Sequence, residues 1–339
     1  MIKINNSRLA GYSLSSFNPS LVRFDGKLLL FYRFIKSCLD KYTNIAFVEL
    51  DSEFQPISKH HPLCFSVRED VATTTTFDDP RAFVWKDQLW LMFIQGVEIV
   101  NNQETYQKWS TAIVLSQIDL DGNVIQTLIP NYGNNINFAV ADAPPALEKN
   151  WVPVVVADDL YLIYELNPLT VIKFQPENNT WIEVSSVYWK THFQTYLSGS
   201  TPLIYWYDSQ YIGLYHTYDY DPVFNVRTYS MGFYSVDVHD WRVTHISKEP
   251  ILTGKSGIFK QQLRKFLINF QKKYDDKLVK IIEPLIYIPY KTLSDVVFPC
   301  GIINCGESWA VSFGGDDHNS YIEIYDQREI AKSLDIVTV

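Results

Sequence analysis

The sequence predicts an all-β protein, a five-bladed β-propeller carrying one helical insertion. Three observations lead there. One plan recurs five times along the chain: a polar or proline-containing lead, an apolar strand, a tight polar turn and a second apolar strand. Aromatic residues make up 15% of the 339 residues, with 22 Tyr, 20 Phe and 9 Trp, a bias that favours strands. Most repeats then add two more apolar strands, and four antiparallel strands per repeat is the content of a propeller blade.

The first repeat reads Asn18-Pro19-Ser20, then LVRF, the turn Asp25-Gly26, then LLLFYR. The second has Asp79-Pro80-Arg81, AFVW, Lys86-Asp87-Gln88 and LWLMFI. The third has Glu148-Lys149-Asn150, WVPVVV, Asp158-Asp159 and LYLIYE. The fourth has Ser200-Thr201-Pro202, LIYWY, Asp208-Ser209-Gln210 and YIGLYH. The fifth has Phe298-Pro299-Cys300, GIIN, a turn at Gly306-Glu307 and WAVSFG. Asp25-Gly26 is the strongest hairpin signal among these turns. Outer strands are expected in NIAFVELDSEFQPIS, TAIVLSQIDLDGNVIQT, VIKFQPENNTWIEV and MGFYSVDVHDWRVTHIS, with the shorter YIEIYDQREI closing the fifth repeat. A pair of β-sandwiches is the rival arrangement, but it gives no reason for five similar leads. Residues 254–283 break the pattern: Ile258, Phe259, Leu263, Leu267, Ile268, Phe270 and Tyr274 are spaced like a helical face. They are read as a helical insertion between blades four and five, and residues 1–339 as a single domain.

Hydrophobic residues make up 47% of the chain, enough for a sizeable core, and the formal net charge of −9 argues against non-specific binding to nucleic acid or to an anionic membrane. The start, MIKINNSRLAGYSL, lacks the apolar stretch of a signal peptide, and no apolar run is long enough to span a bilayer. Cys38, Cys64, Cys300 and Cys305 lack metal-type spacing and read as free thiols of a reducing compartment, so the expected location is cytoplasmic. Asn178-Asn179-Thr180 matches a glycosylation sequon at chance level.

In a propeller the innermost strands run side by side around a channel, so their beginnings meet at one mouth. Proline suits the first residue of a strand because no ladder donor is needed there. Pro19, Pro80, Pro202 and Pro299 take that place in four of the five leads. Asn18, Asp79, Arg81, Glu148, Lys149 and Asn150 are then expected to line one polar funnel, the default place for a binding site. Taken singly, Asp-Pro-Arg also reads as a capped turn and Glu-Lys-Asn as an exposed one. His216, at the end of an apolar strand, reads equally as a core histidine or as a ligand contact. The tyrosine-rich segments Tyr205-Trp206-Tyr207 and Tyr215 to Tyr220 read as blade core, with stacking of one or two rings on sugar as the alternative.

Several motifs resemble glycoside hydrolase family 130, the β-mannoside phosphorylases and hydrolases. They are Asn18-Pro19 with Tyr32-Arg33, FDDPR at 77–81, EKNW at 148–151, GSTPLI at 199–204, His216, VVFPCG at 296–301 and SFGGDD at 312–317. The resemblance implies Asp79 as the catalytic acid, with Arg33 and Asp317 holding the sugar; Asn18, Asp78, Arg81, Glu148 and Asn150 are expected as further substrate contacts of the same funnel. It places Lys149, His216 and Tyr229 at phosphate contacts. Cleavage with inversion needs a proton donor and a nucleophile on the opposite face of the sugar. The family's phosphorylases carry an arginine on the strand after the Asp-Pro-Arg hairpin, where this chain has Ser110 and, nearby, Lys108. Asp78 and Asp79, as consecutive strand residues, are expected to face opposite ways.

The resulting expectation is a glycosidase or glycoside phosphorylase acting on β-linked, manno-configured glycosides. A glycosyltransferase of related fold and a non-catalytic glycan-binding propeller are the alternatives. No metal and no organic cofactor are expected, with inorganic phosphate as the candidate co-substrate. The expected partner is an oligosaccharide, with no nucleic acid and no membrane span; the oligomeric state is left open.

Overall fold

A computed structural model describes residues 1–4, 15–35, 42–65, 74–99, 108–137, 146–193, 196–221, 226–254, 296–315 and 319–337. Within these, helix is confined to α1 (Gln327–Ser333) and a 3-10 turn at Gly133–Asn137. Beyond Gly254, the expected helical insertion lies outside the described residues.

The strands form four four-stranded sheets and one seven-stranded sheet. The first sheet takes β2 (Ser15–Phe24), β3 (Lys27–Ile35), β4 (Asn44–Leu50) and β5 (His61–Pro62) in sequence order. The second takes β6 (Thr74–Trp85), β7 (Gln88–Ile99), β8 (Lys108–Ile118) and β9 (Val124–Leu128). The third takes β10 (Val152–Val156), β11 (Asp159–Glu165), β12 (Leu169–Gln175) and β13 (Thr180–Val187). The last is built from β20 (Val297–Cys305), β21 (Ser308–Gly315) and β22 (Asn319–Asp326), with the N-terminal β1 (Ile2–Ile4) pairing antiparallel to β22 as its outer strand.

The fourth repeat departs from this form. Its sheet runs β14 (Ser198–Gly199), β16 (Gln210–Asp221), β17 (Val226–Asp237), β18 (Arg242–Ser247) and β23 (Leu334–Ile336), with β15 (Ile204–Tyr207) and β19 (Leu252–Thr253) pairing at its side. The all-β, propeller-like arrangement is present, but the expectation of five blades is corrected: four blades have the four-stranded form. The inner strand of the fourth repeat is split at Ser200–Leu203, and the C-terminus supplies an extra outer strand. The close of the fifth repeat is corrected too. YIEIYD is a strand, but QREI starts α1, whose first amides at Arg328 and Glu329 are capped by the Asp326 carboxylate.

The turns follow their chemistry. Asp25 and Gly26 both have positive φ (+49° and +72°), as do Lys86 and Asp87 (+50° and +54°), the geometry of a type I′ hairpin. Alternating apolar residues pack sheet on sheet. Leu21, Leu30, Ile303 and Ile322 fill the seam between the last and first sheets. Trp85, Trp90, Trp151 and Phe174 fill that between the second and third, and Leu214, Phe233, Trp309 and Phe313 that between the seven-stranded sheet and the last. The strands at the inner edges touch one another, β2 packing on β6 and β20 and β6 on β10. A parallel bridge joins Val154 to Leu203.

Candidate active site

The inner strands share a local distortion that sets up the site. In β20 the register shifts just past the proline, between Pro299 and Gly301, whereas shifts between Phe17 and Ser20 in β2 and between Asp78 and Arg81 in β6 put a bulge at each X-Pro step. Proline is at home there because the extra residue has no ladder partner to serve. Asn18 and Asp79 take positive φ (+50° and +51°), and Asn150 does the same at the third lead (+65°). Non-glycine residues held there cost of order 1–3 kcal/mol, a strain that clusters at functional positions. The bulges turn polar side chains inward. Gly314 makes room for this: a Cβ on it would overlap the side chain and backbone nitrogen of Asn18.

Four predicted residues meet directly. Asn18 donates its side-chain amide to Asp79 Oδ1 at 2.7 Å, and Arg33 Nη1 reaches the same oxygen at 2.9 Å. Arg33 Nη2 contacts Asp78 Oδ1 at 2.7 Å, while its guanidinium lies over the Phe17 ring. One guanidinium therefore holds two consecutive carboxylates. The expectation that Asp78 and Asp79 face opposite ways is overturned, because the bulge between Asp78 and Arg81 breaks strand alternation. Thr43 and Thr76 also donate hydroxyls to Asp78 Oδ1.

The two carboxyls are driven apart in acidity. Burial raises Asp78 above the usual carboxylate range, and the neighbouring Asp79 adds to this; Arg33, Thr43 and Thr76 offset it only in part. Burial pushes Asp79 up as well, but Arg33, Arg81 and Asn18 outweigh it and hold its carboxyl below the usual range. Asp79 is thus the more acidic member of the pair.

Arg81 is fully buried. Its Nη1 donates to Trp151 O at 2.8 Å and its Nη2 to Gly199 O at 3.4 Å, while Nε donates to Ser200 O. This residue, expected as a sugar contact, thus has each of its three nitrogens on a backbone carbonyl and ties the second sheet to the third and to the seven-stranded one. Glu148 is likewise buried, with Oε2 accepting from Trp151 Nε1 at 3.0 Å and Oε1 from Asn134 N at 2.9 Å and the Tyr164 hydroxyl at 3.3 Å.

His216 is buried on β16, its Nδ1 2.6 Å from Ser200 Oγ and its ring against Phe298 at 4.5 Å. Burial pushes it down to about 3; Arg81 and Lys149 add to this, and Asp79 pulls the other way. His216 is therefore a neutral hydrogen-bonding group at neutral pH, and it lies within the fields of Asp79, Arg81 and Lys149 together. Tyr229 packs on Tyr218 and, at 6.2 Å, on His216. Lys149 is exposed and Asn150 half-buried. Asp317 lies outside the described residues. Ser110, at the place of the family's arginine, is buried, and its hydroxyl both donates to Ala146 O at 3.2 Å and accepts from Ala146 N at 3.0 Å.

Sequence reasoning missed the hydroxyls that lock the leads together. Ser20 Oγ accepts from Ala82 N at 2.9 Å and donates to Cys300 O at 3.1 Å. Ser312 Oγ donates to Pro19 O at 2.7 Å and accepts from Leu21 N at 3.1 Å. A serine directly after a lead proline was the available signal for Ser20. Thr43, Thr76 and Ser200 carry no such mark.

Residues 2–260 match the glycoside hydrolase 130 family model, described as β-1,4-mannooligosaccharide phosphorylase. Similar solved structures include β-1,2-mannobiose phosphorylase from Listeria innocua in complex with β-1,2-mannobiose, 13% identical, TM-score 0.59, covering 95% of this chain and 92% of that one. A mannose phosphorylase from Leishmania mexicana in complex with phosphate is 13% identical with a TM-score of 0.51, covering 96% and 87%. A glycosyl hydrolase from Bacteroides ovatus is 13% identical with a TM-score of 0.51, covering 93% and 84%. At such identity these likenesses concern the fold. No curated protein sequence matches the chain. With about three quarters of its length matched, the chain belongs to glycoside hydrolase family 130, and it is a carbohydrate-active enzyme of that family of β-mannoside phosphorylases and hydrolases.

Proposed function

We propose that this enzyme cleaves a β-linked, manno-configured glycoside with inversion at the mouth where the lead residues meet, with Asp79 as its acid. The observation that carries the reading is the Asn18–Asp79–Arg33 cluster, assembled from two sheets on strained, bulged backbone. Asn18, Arg33, Asp78 and Asn150 are the proposed sugar contacts, and Asp317 is a proposed contact from the resemblance alone. Asp79 is ionised in the free enzyme, so to act as the acid it must take up a proton as substrate closes the mouth to water. Protonated, it passes that proton to a sugar hydroxyl, which gives its own to the departing oxygen; the hydroxyl is restored, and the Asp79 carboxylate that remains is held by Arg33 and Asn18.

Water is the nucleophile favoured by the described residues. Arg33 is committed to two carboxylates and Arg81 to three carbonyls, and His216 is neutral. Phosphate would have to be held by Lys149 with His216 and Tyr229 as neutral donors, without the family's arginine at Ser110. The seven-stranded sheet is proposed to serve as the fifth blade, and the free thiols of Cys64, Cys300 and Cys305 support a cytoplasmic location.

Incubation of the full chain with β-1,2- and β-1,4-mannobiose, with and without phosphate, tests this. Mannose released at equal rate in both conditions is expected, and Asp79→Asn is expected to lower that rate by about 10²–10⁴-fold. Mannose 1-phosphate formed only when phosphate is present would overturn the choice of water. Turnover unaltered in Asp79→Asn would overturn the acid.

A further inference from the structure

We propose that a cleft between the third sheet and the seven-stranded sheet is a second saccharide subsite, continuous with the Asp79 mouth and built for one additional neutral sugar ring. The inference rests on the proposed glycosidase reading. The cleft has a volume of about 190 Å³, and its wall includes Lys149, Asn150, Tyr164, Glu165, Tyr196 and Ser198. Drug-sized pockets run to about 300–1,000 Å³, so this one suits a single ring and not a chain.

Continuity with the mouth follows from shared residues. Lys149 and Asn150 belong to the third lead, and the charge of Lys149 is felt at His216. Ser198 pairs with His216 across β14 and β16, and the next residue, Gly199, gives its carbonyl to Arg81. Tyr196 is tethered on the same side, its carbonyl accepting from the Thr217 hydroxyl at 3.1 Å.

The wall chemistry selects the ligand. The Tyr164 ring is fixed edge-on by Trp151 (5.0 Å, 71°) and Tyr132 (5.1 Å, 77°), so one aromatic surface is rigid. Tyr196 is 60% exposed, and its hydroxyl makes a long 3.5 Å contact with Glu165 Oε1. An exposed aromatic ring beside a polar rim offers an apolar face with a wet edge, which matches the C–H face and hydroxyls of a sugar. Both phenols stay protonated: burial with Glu148 pushes Tyr164 up to about 12, and burial with Glu165 raises Tyr196. Glu148 and Glu165 face a single lysine, so the cleft carries more negative than positive charge and disfavours phosphate or a nucleotide. A sugar hydroxyl can donate to Glu165 and accept from Lys149 at once.

Calorimetric titration of the full chain carrying Asp79→Asn, which slows turnover, with β-mannobiose, β-mannotriose and inorganic phosphate tests this. Triose is expected to bind about tenfold tighter than biose, an added ring being worth about 1.4 kcal/mol. Adding Tyr196→Ala, or separately Glu165→Gln, is expected to erase most of that gain. Equal binding of biose and triose, a gain that survives both substitutions, or phosphate competing with triose but not with biose would each overturn the subsite. Failure of the unsubstituted enzyme to turn over any β-mannoside would instead remove the glycosidase reading on which the subsite depends.

Discussion

The second blade and the seven-stranded sheet solve the same problem in opposite ways. In the second blade the inner strand β6 runs unbroken over twelve residues and absorbs Asp79-Pro80 as a bulge, which re-aims a carboxylate inward. In the seven-stranded sheet the inner edge breaks into β14 and β15, and the carbonyls of Gly199 and Ser200 are turned toward Arg81 of the second blade. Ser200 and Thr201 instead donate their amides to Leu214 O, and Thr201 Oγ1 accepts from Leu214 N at 2.9 Å, so the break is tied back to its neighbour β16. A bulge in a continuous strand delivers a side chain; a broken strand delivers backbone acceptors. The mouth needs both, because a fully buried arginine two residues from Asp79 lowers that carboxyl only while its own nitrogens are satisfied.

The largest expected effect of breaking this complementarity is on stability. Arg81→Met should destabilise the fold by about 3–5 kcal/mol, because Asp79 loses a buried counter-charge and three carbonyls lose their donor. Denaturant unfolding measures it, and a loss below 1 kcal/mol would mean that the broken edge does not depend on the arginine. Arg81→Lys should rescue little, since a compact ammonium cannot replace the planar fork that reaches the carbonyls of Trp151, Gly199 and Ser200.

A smaller, pH-dependent effect comes from His216, which joins the broken edge through Ser200. Its folded pKa is depressed to about 3 from an ordinary 6.5, so below pH 6.5 the unfolded chain takes up a proton that the folded chain refuses. Stability therefore falls with falling pH, by about 1.4 kcal/mol per unit for this one group, across the window between those values. The depressed Asp79 acts in the same direction, losing its contribution as pH falls through its folded pKa. The raised Asp78 acts oppositely, because its folded form takes up a proton first. The difference between wild type and His216→Gln, followed by unfolding from pH 7 to pH 4, isolates the histidine. An unchanged acid slope would contradict its burial as a neutral group.

The same contrast explains what could be read in advance. Turn residues such as Asp25-Gly26 and Lys86-Asp87 declare their conformation locally, so the hairpins and the repeat were legible. The prolines marked the leads, and with them the place of Asn18 and Asp79, but they read as strand beginnings, whereas Pro19 and Pro80 lie at bulges inside β2 and β6. What the bulge does to alternation was not legible: Asp78 and Asp79 read as facing apart, and only the extra unpaired residue lets both reach Arg33. The splitting of the fourth inner strand was also hidden, because Gly199-Ser200-Thr201-Pro202 looks like the other leads and differs only in where its carbonyls find a donor. The partners that complete the outer edges, Ile2–Ile4 and Leu334–Ile336, are too short to announce themselves and are chosen by the unpaired edges they meet.

The most direct test is a crystal structure of Asp79→Asn with β-mannobiose bound. The predicted result is a sugar ring at the mouth of the inner strands, with the side chains of Asn18, Arg33 and residue 79 within hydrogen-bonding distance of the hydroxyls flanking the glycosidic bond. A disaccharide seated elsewhere, with Arg33 still closed on Asp78 and no contact to residue 79, would contradict the account.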